Sequence, residues 1–145
     1  MKDILVDNNV AKNFCNPLDN EYKKFITWLF HCGELVVTNQ LVNEYISATG
    51  SSPSATNIVA IIHKLTIDGR LNKVNSDDLK AFRIKPTIFR QLKSNHSDHD
   101  LIKAVMISNR KLALSLDKKL RNDINNYPGF QAQAEKRPQD IPYDS

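Results

Sequence analysis

Ile4-Leu5-Val6-Asp7-Asn8-Asn9-Val10 is the stretch on which the fold turns. Three consecutive apolar residues ending in an acid read as a strand buried on both faces, because a half-buried strand would alternate polar and apolar side chains. Such a strand belongs to a parallel sheet covered by helices. It delivers the Asp7 carboxylate to its carboxyl end, the edge at which open α/β sheets bind ligands.

Working outward, Leu35-Val36-Val37 and Leu112-Ala113-Leu114 repeat the short, wholly apolar pattern. Helical periodicity fills the spaces between them. Tyr22, Phe25, Ile26, Leu29 and Phe30 recur at three-to-four spacing over Asp19 to His31, with Asp19 as N-cap. Thr38 or Asn39 caps a helix carrying Leu41, Val42, Tyr45 and Ile46, and Glu44 projects from its first turns. Gly50-Ser51-Ser52-Pro53-Ser54 reads as a loop, followed by a helix from about Ser54 to Asp68 that Gly69 stops.

The pattern from Leu71 to Ile84 is weak. Lys85-Pro86 precedes a short helical segment, and Lys93 to Ser97 is a polar connection. Asp98 opens a helix that buries Leu101, Ile102, Val105 and Met106, and a last helix follows Asp117 to about Asn125. Strands alternating with helices in this order imply a three-layer α/β/α sandwich with a central, mainly parallel sheet. One domain is expected over residues 1–126. The polar segment 127–145, with Pro128, Gly129, Pro138 and Pro142, is expected to be an extended tail or a strap across that domain.

Composition narrows the function. The chain has 145 residues, 41% hydrophobic and 25% charged, which places it with soluble globular proteins of one domain. No bilayer-length apolar run and no basic-then-apolar leader occur, so the expectation is a cytoplasmic protein. Cys15 and Cys32 lack metal-ligand spacing and are expected as reduced thiols, with a disulfide as the alternative. The net charge of +4 suits a polyanionic partner, and it also occurs in proteins that bind none.

Against that positive balance, four acids fall where elements end or begin near one sheet edge: Asp7, Glu44, Asp98 and Asp117. Taken singly, Asp7, Asp98 and Asp117 read as helix caps and Glu44 as a solvent-facing helix residue. Joint occurrence favours a site, since independent caps predict neither a Glu on the second helix nor Ser115 two residues before the last Asp. Carboxylates converging in a cleft repel one another and protonate in part unless a divalent cation compensates them.

These residues resemble the PIN domain family of metal-dependent ribonucleases over about Asp3 to Asn125. Ile4 to Val10 is similar to the family's opening strand and Asp-x-Asn signature; Val37 to Glu44 is similar to its strand followed by a helix-borne Glu. Asp98-x-x-Leu101-Ile102, then Leu112 to Asp117 with Leu120 and Asp123-Ile124, is similar to its Asp-led helix, Ser-x-Asp strand end and trailing helix. The resemblance implies that Asp7, Glu44, Asp98 and Asp117 hold one or two Mg²⁺ or Mn²⁺ ions, that Asn9 and Ser115 orient carboxylates or water, and that RNA is cut. It implies further the toxin half of a toxin–antitoxin pair, with a cognate antitoxin protein as partner, and a homodimer contacting through the Ser54 to Asp68 helix or the Trp28 helix.

One register stays open. Asp100 lies about 200° around a helix from Asp98 and serves instead if the helix begins later; distance to Asp117 and the apolar pattern favour Asp98. His96 and His99 lack a third ligand for zinc. Trp28, Tyr22, Phe25 and Phe30 read as core rather than a stacking platform. Lys85, Arg90, Lys93, Lys111, Lys118, Lys119 and Arg121 are candidates for phosphate contacts or a solvated face. Two other functions remain: a non-catalytic PIN-like module binding RNA or protein, and a metal-dependent phosphatase, whose strand-end Asp-x-Asp is absent here.

Overall fold

The computed structural model describes residues 2–15, 19–49 and 58–143. In chain order the elements are β1 (Asp3–Val6), α1 (Asn8–Ala11), α2 (Asn20–His31), β2 (Glu34–Val37), α3 (Asn39–Thr49), α4 (Ile58–Ile67), β3 (Leu71–Lys73), α5 (Ser76–Ala81), α6 (Pro86–Phe89), α7 (His99–Ile107), β4 (Leu112–Leu114), α8 (Lys118–Asn125) and β5 (Gln133–Glu135). Every strand pairing is parallel, in the order β3-β2-β1-β4-β5. Helices α2, α3 and α4 pack together, as do α5, α7 and α8; α4 touches β2 and β3, and α7 touches β1 and β2. The arrangement is α/β and compatible with the expected three-layer α/β/α sandwich.

The three apolar runs occupy the middle of this sheet. Ile4, Leu5, Val6, Leu35, Val36, Val37, Leu112, Ala113 and Leu114 are all buried, as strands covered on both faces require. Two further strands close the edges, and both carry mixed sequences, Leu71-Asn72-Lys73 and Gln133-Ala134-Glu135. The segment expected as tail or strap thus supplies β5, and it buries Ala134 and Ile141.

Helix ends follow local chemistry. The Asp19 carboxylate accepts the Glu21 and Tyr22 amides and Thr38 Oγ1 accepts the Leu41 amide, so both expected caps form. Gly69 adopts φ +71°, its N–H reaching Thr66 while the Arg70 N–H reaches Leu65, a left-handed closure that ends α4. The expected start of that helix at Ser54, and the loop before it, lie outside the described residues. Trp28 and Phe25 are buried, as expected. Cys32 is a free, half-buried thiol, whereas the Cys15 side chain is outside the description. Among the described residues no helix is long and apolar enough to cross a membrane.

Candidate functional site

Strand order reverses between β1 and β4. From β1 the chain moves outward through β2 to β3, then returns to the other side of β1 for β4 and β5. Diverging connections leave a crevice at the carboxyl ends of the two central strands. Asp7 directly follows β1, and Ser115, Leu116 and Asp117 follow β4, so the sheet presents these side chains at the crevice.

Hydrogen bonds tie the two strand ends into one unit. The Asp7 amide donates to the Leu114 carbonyl at 2.8 Å. Ser115 Oγ donates to Asp7 Oδ2 at 2.7 Å and accepts the Asp117 amide at 3.1 Å. Asn9 Oδ1 accepts the Leu116 amide at 3.0 Å. Ser115 and Asn9 thus fix the orientation of neighbouring groups, Ser115 holding the Asp7 carboxylate directly. Beneath them the buried Tyr45 hydroxyl donates to the Val6 carbonyl.

Two further elements bring the remaining acids. Glu44 stands on α3, and Asp98 in a short 3₁₀ turn, His96–Asp98, ahead of α7. Gln40 joins them: its Nε2 donates to Glu44 Oε1 at 3.3 Å and to the Ser97 carbonyl at 3.2 Å. Sequence reading had missed Gln40, although its four-residue spacing to Glu44 on one helix face was a usable signal.

Electrostatic influence links these acids pairwise. Burial chiefly raises the Asp7 carboxyl above its ordinary value, opposed by the bonds from Ser115 and Asn8, and Asp117 raises it further. Asp98 is raised by burial first, then by Asp7, Asp117 and Glu44. Burial, with Asp7 and Glu44 nearby, holds the Tyr45 hydroxyl well above the usual phenol range.

The helix-cap reading is met in part. Asp7 accepts the Asn8 amide at 2.7 Å, and Asp117 Oδ1 accepts the Lys119 and Leu120 amides at 2.9 and 3.3 Å. Asp98 occupies the cap position of α7 yet makes no side-chain capping bond. Asp100 lies 3.9 Å from Lys103 and lines a small cavity with Thr38, Asn39 and Gln40. Asp98 shares the field of the other three acids.

The four acids offer oxygen donors, the chemistry that hard divalent cations prefer. Asn8 Oδ1 is buried without a hydrogen-bond partner, beside Glu44 in a shallow groove that Gln40, Asn43 and Ser47 complete. Among the described residues no group of three His, Cys, Asp or Glu side chains is placed to hold a metal ion. Asp7, Glu44 and Asp117 each give an oxygen to a neighbouring donor.

Cations surround the edge unevenly. Lys118 and Lys119 begin α8 beside Asp117, and Arg121 Nη1 donates to the Ser115 carbonyl at 2.9 Å. Lys111 precedes β4 and therefore lies at the opposite edge, donating to the Ser108 carbonyl at 2.9 Å. No family model, curated protein or solved structure matches this chain.

Proposed function

We propose that this chain is a Mg²⁺- or Mn²⁺-dependent endoribonuclease, with Asp7, Glu44, Asp98 and Asp117 as its metal-binding carboxylates. One observation carries the reading: Asp7 and Asp117, at the carboxyl ends of the two central strands where strand order reverses, lie with Glu44 in the field that acts on Asp98. Asp7 is buried against that like charge, which is costly unless compensated. A cation among them would offset the repulsion.

The donor set fits such an ion. Its groups are oxygens, and the unpartnered Asn8 Oδ1 adds a neutral one beside Glu44. Joint coordination calls for side-chain movement within the group, and the Asp98 carboxylate makes no capping bond that would oppose it. When bound, the ion would acidify a water and screen the charge of a phosphodiester. The protein's own residues do the positioning: Ser115 Oγ holds Asp7, Gln40 holds Glu44 against the Asp98 turn, and Asn9 keeps Leu116 and hence Asp117 in place. Lys118 and Lys119 are suited to phosphate oxygens.

Resemblance to the PIN domain family supports RNA as the substrate. The toxin role, a cognate antitoxin protein and a homodimer rest on that resemblance alone. The separation of the carboxylates favours a second reading, a non-catalytic PIN-like module that binds RNA or a protein. Incubation with mixed-sequence single-stranded RNA in Mg²⁺ or Mn²⁺, beside a chelator lane and Asp117→Asn, separates the two. Products that require metal and vanish in the variant uphold the nuclease; absence of products with either metal, together with metal-independent RNA retention, upholds the module.

A further inference from the structure

Beyond the acidic edge, the most distinctive feature is a cleft of about 470 Å³ between α5, α6 and α7. Lys80, Arg83, Phe89, His96, His99 and Lys103 are among the residues that line it. Phe89 is 41% exposed, unusual for so large an apolar side chain. Its ring meets His96 and His99 edge-on at 5.1 and 5.2 Å between centroids, and the two imidazoles lie 4.9 Å apart. The three rings form a compact aromatic surface open on the Phe89 and His96 side.

Chemistry around the rings is cationic. Lys80 and Arg83 are exposed and make no ion pair or hydrogen bond among the described residues. Lys103 is half-buried, and its partner Asp100 is the single acid on the wall. Phosphate would therefore approach from the Lys80 and Arg83 side. His99 is only 8% exposed, with one ring nitrogen bonded to the Ser94 backbone and Nε2 without a partner. A buried acceptor lacking a donor is a cost that a ligand N–H or O–H would offset.

Position joins this cleft to the acidic edge. His96 and His99 bracket Asp98, and Gln40 ties the same turn to Glu44. We infer that the Phe89–His96–His99 cleft is a nucleotide subsite that stacks an unpaired base of single-stranded RNA next to the acidic edge, with Lys80 and Arg83 on the adjoining phosphates. Exposed rings flanked by cations are what sequence-tolerant single-strand binding uses. A duplex keeps its bases stacked on each other and has none to offer. This inference deepens the ribonuclease reading and rests on it for the identity of the strand.

The test is made in excess chelator, so that binding is read without cleavage. Fluorescence anisotropy of a labelled, mixed-sequence single-stranded RNA is measured with the full chain, with Phe89→Ala/His96→Ala and with Lys80→Ala/Arg83→Ala. All four positions are exposed, and circular dichroism checks that each variant keeps its fold. The aromatic pair is expected to weaken single-strand binding about tenfold and to leave duplex RNA binding within about twofold. The cationic pair is expected to lower the slope of log K against log salt by about 1.4. Affinity unchanged in both variants, equal losses for duplex and single strand, or no RNA binding by the unaltered chain would overturn the subsite. If binding falls as expected while no metal yields products, the subsite stands and the nuclease reading fails; metal-dependent cleavage with unaltered binding in the variants gives the reverse.

Discussion

Asp3 opens β1 and Asp7 directly follows it, and both are buried, yet they keep different company. Asp3 accepts the Asn109 and Arg110 amides at 2.8 and 2.9 Å and has the Arg110 guanidinium at 4.0 Å. Asp123 is similar, taking the Lys93 and Ser94 amides and the Ser94 hydroxyl. Asp7 instead shares its end of the sheet with three other acids. Asp7 and Asp117 accept hydrogen bonds too, but Asp7 also faces the like charge of Asp117, and that added repulsion separates candidate chemistry from architecture.

The comparison breaks most visibly at Asp3. Asp3→Ala would take the carboxylate from the Asn109 and Arg110 amides and from the facing Arg110 guanidinium, so urea unfolding should register a loss of about 3–5 kcal/mol. A loss below about 1 kcal/mol would show that the amides find other partners. Asp7→Asn should do the converse: a stable, folded protein whose metal-dependent RNA cleavage falls at least about 100-fold, since loss of a mere supporting group costs about 10–100-fold. Ser115→Ala tests that supporting class directly. It should cost about 10-fold in cleavage rate and about 1.5–3 kcal/mol in stability, the value of a hydrogen bond to a charged group.

Acidity sharpens the contrast further. The Asp7 carboxyl is raised from 3.8, so the folded chain holds that proton more tightly than the unfolded one. Its contribution is full below 3.8 and is lost as pH rises through the raised value. Asp7→Asn should therefore have a higher Tm than the unaltered chain at neutral pH, with the gap closing on acidification; a gap constant with pH would contradict this assignment. The smallest effect belongs to Asp100→Asn, which should change cleavage by less than about twofold because its partner is Lys103, an exposed pairing of little weight. Loss equal to that in Asp98→Asn would return Asp100 to the site.

Sequence alone made the centre of the sheet readable and its margins unreadable, for one physical cause. Ile4-Leu5-Val6, Leu35-Val36-Val37 and Leu112-Ala113-Leu114 are covered on both faces and so consist wholly of apolar residues. Leu71-Asn72-Lys73 and Gln133-Ala134-Glu135 are edges, each three residues long with two of them polar, and nothing in their pattern distinguishes them from loop. Periodicity separated Asp98 from Asp100, and the distance to Asp117 with the apolar pattern favoured Asp98. Tertiary placement adds the Gln40 bridge to its turn and the field of Asp7, Asp117 and Glu44. The Phe89 cleft was invisible because its residues come from three short elements with no common period.

Isothermal titration of Mn²⁺ into the full chain, and into Asp7→Asn and Asp100→Asn beside it, tests the central claim most directly. Saturable binding by the unaltered chain and by Asp100→Asn, abolished in Asp7→Asn, is the predicted result. Absence of binding by the unaltered chain, or equal binding by Asp7→Asn, would contradict a metal centre at the crevice.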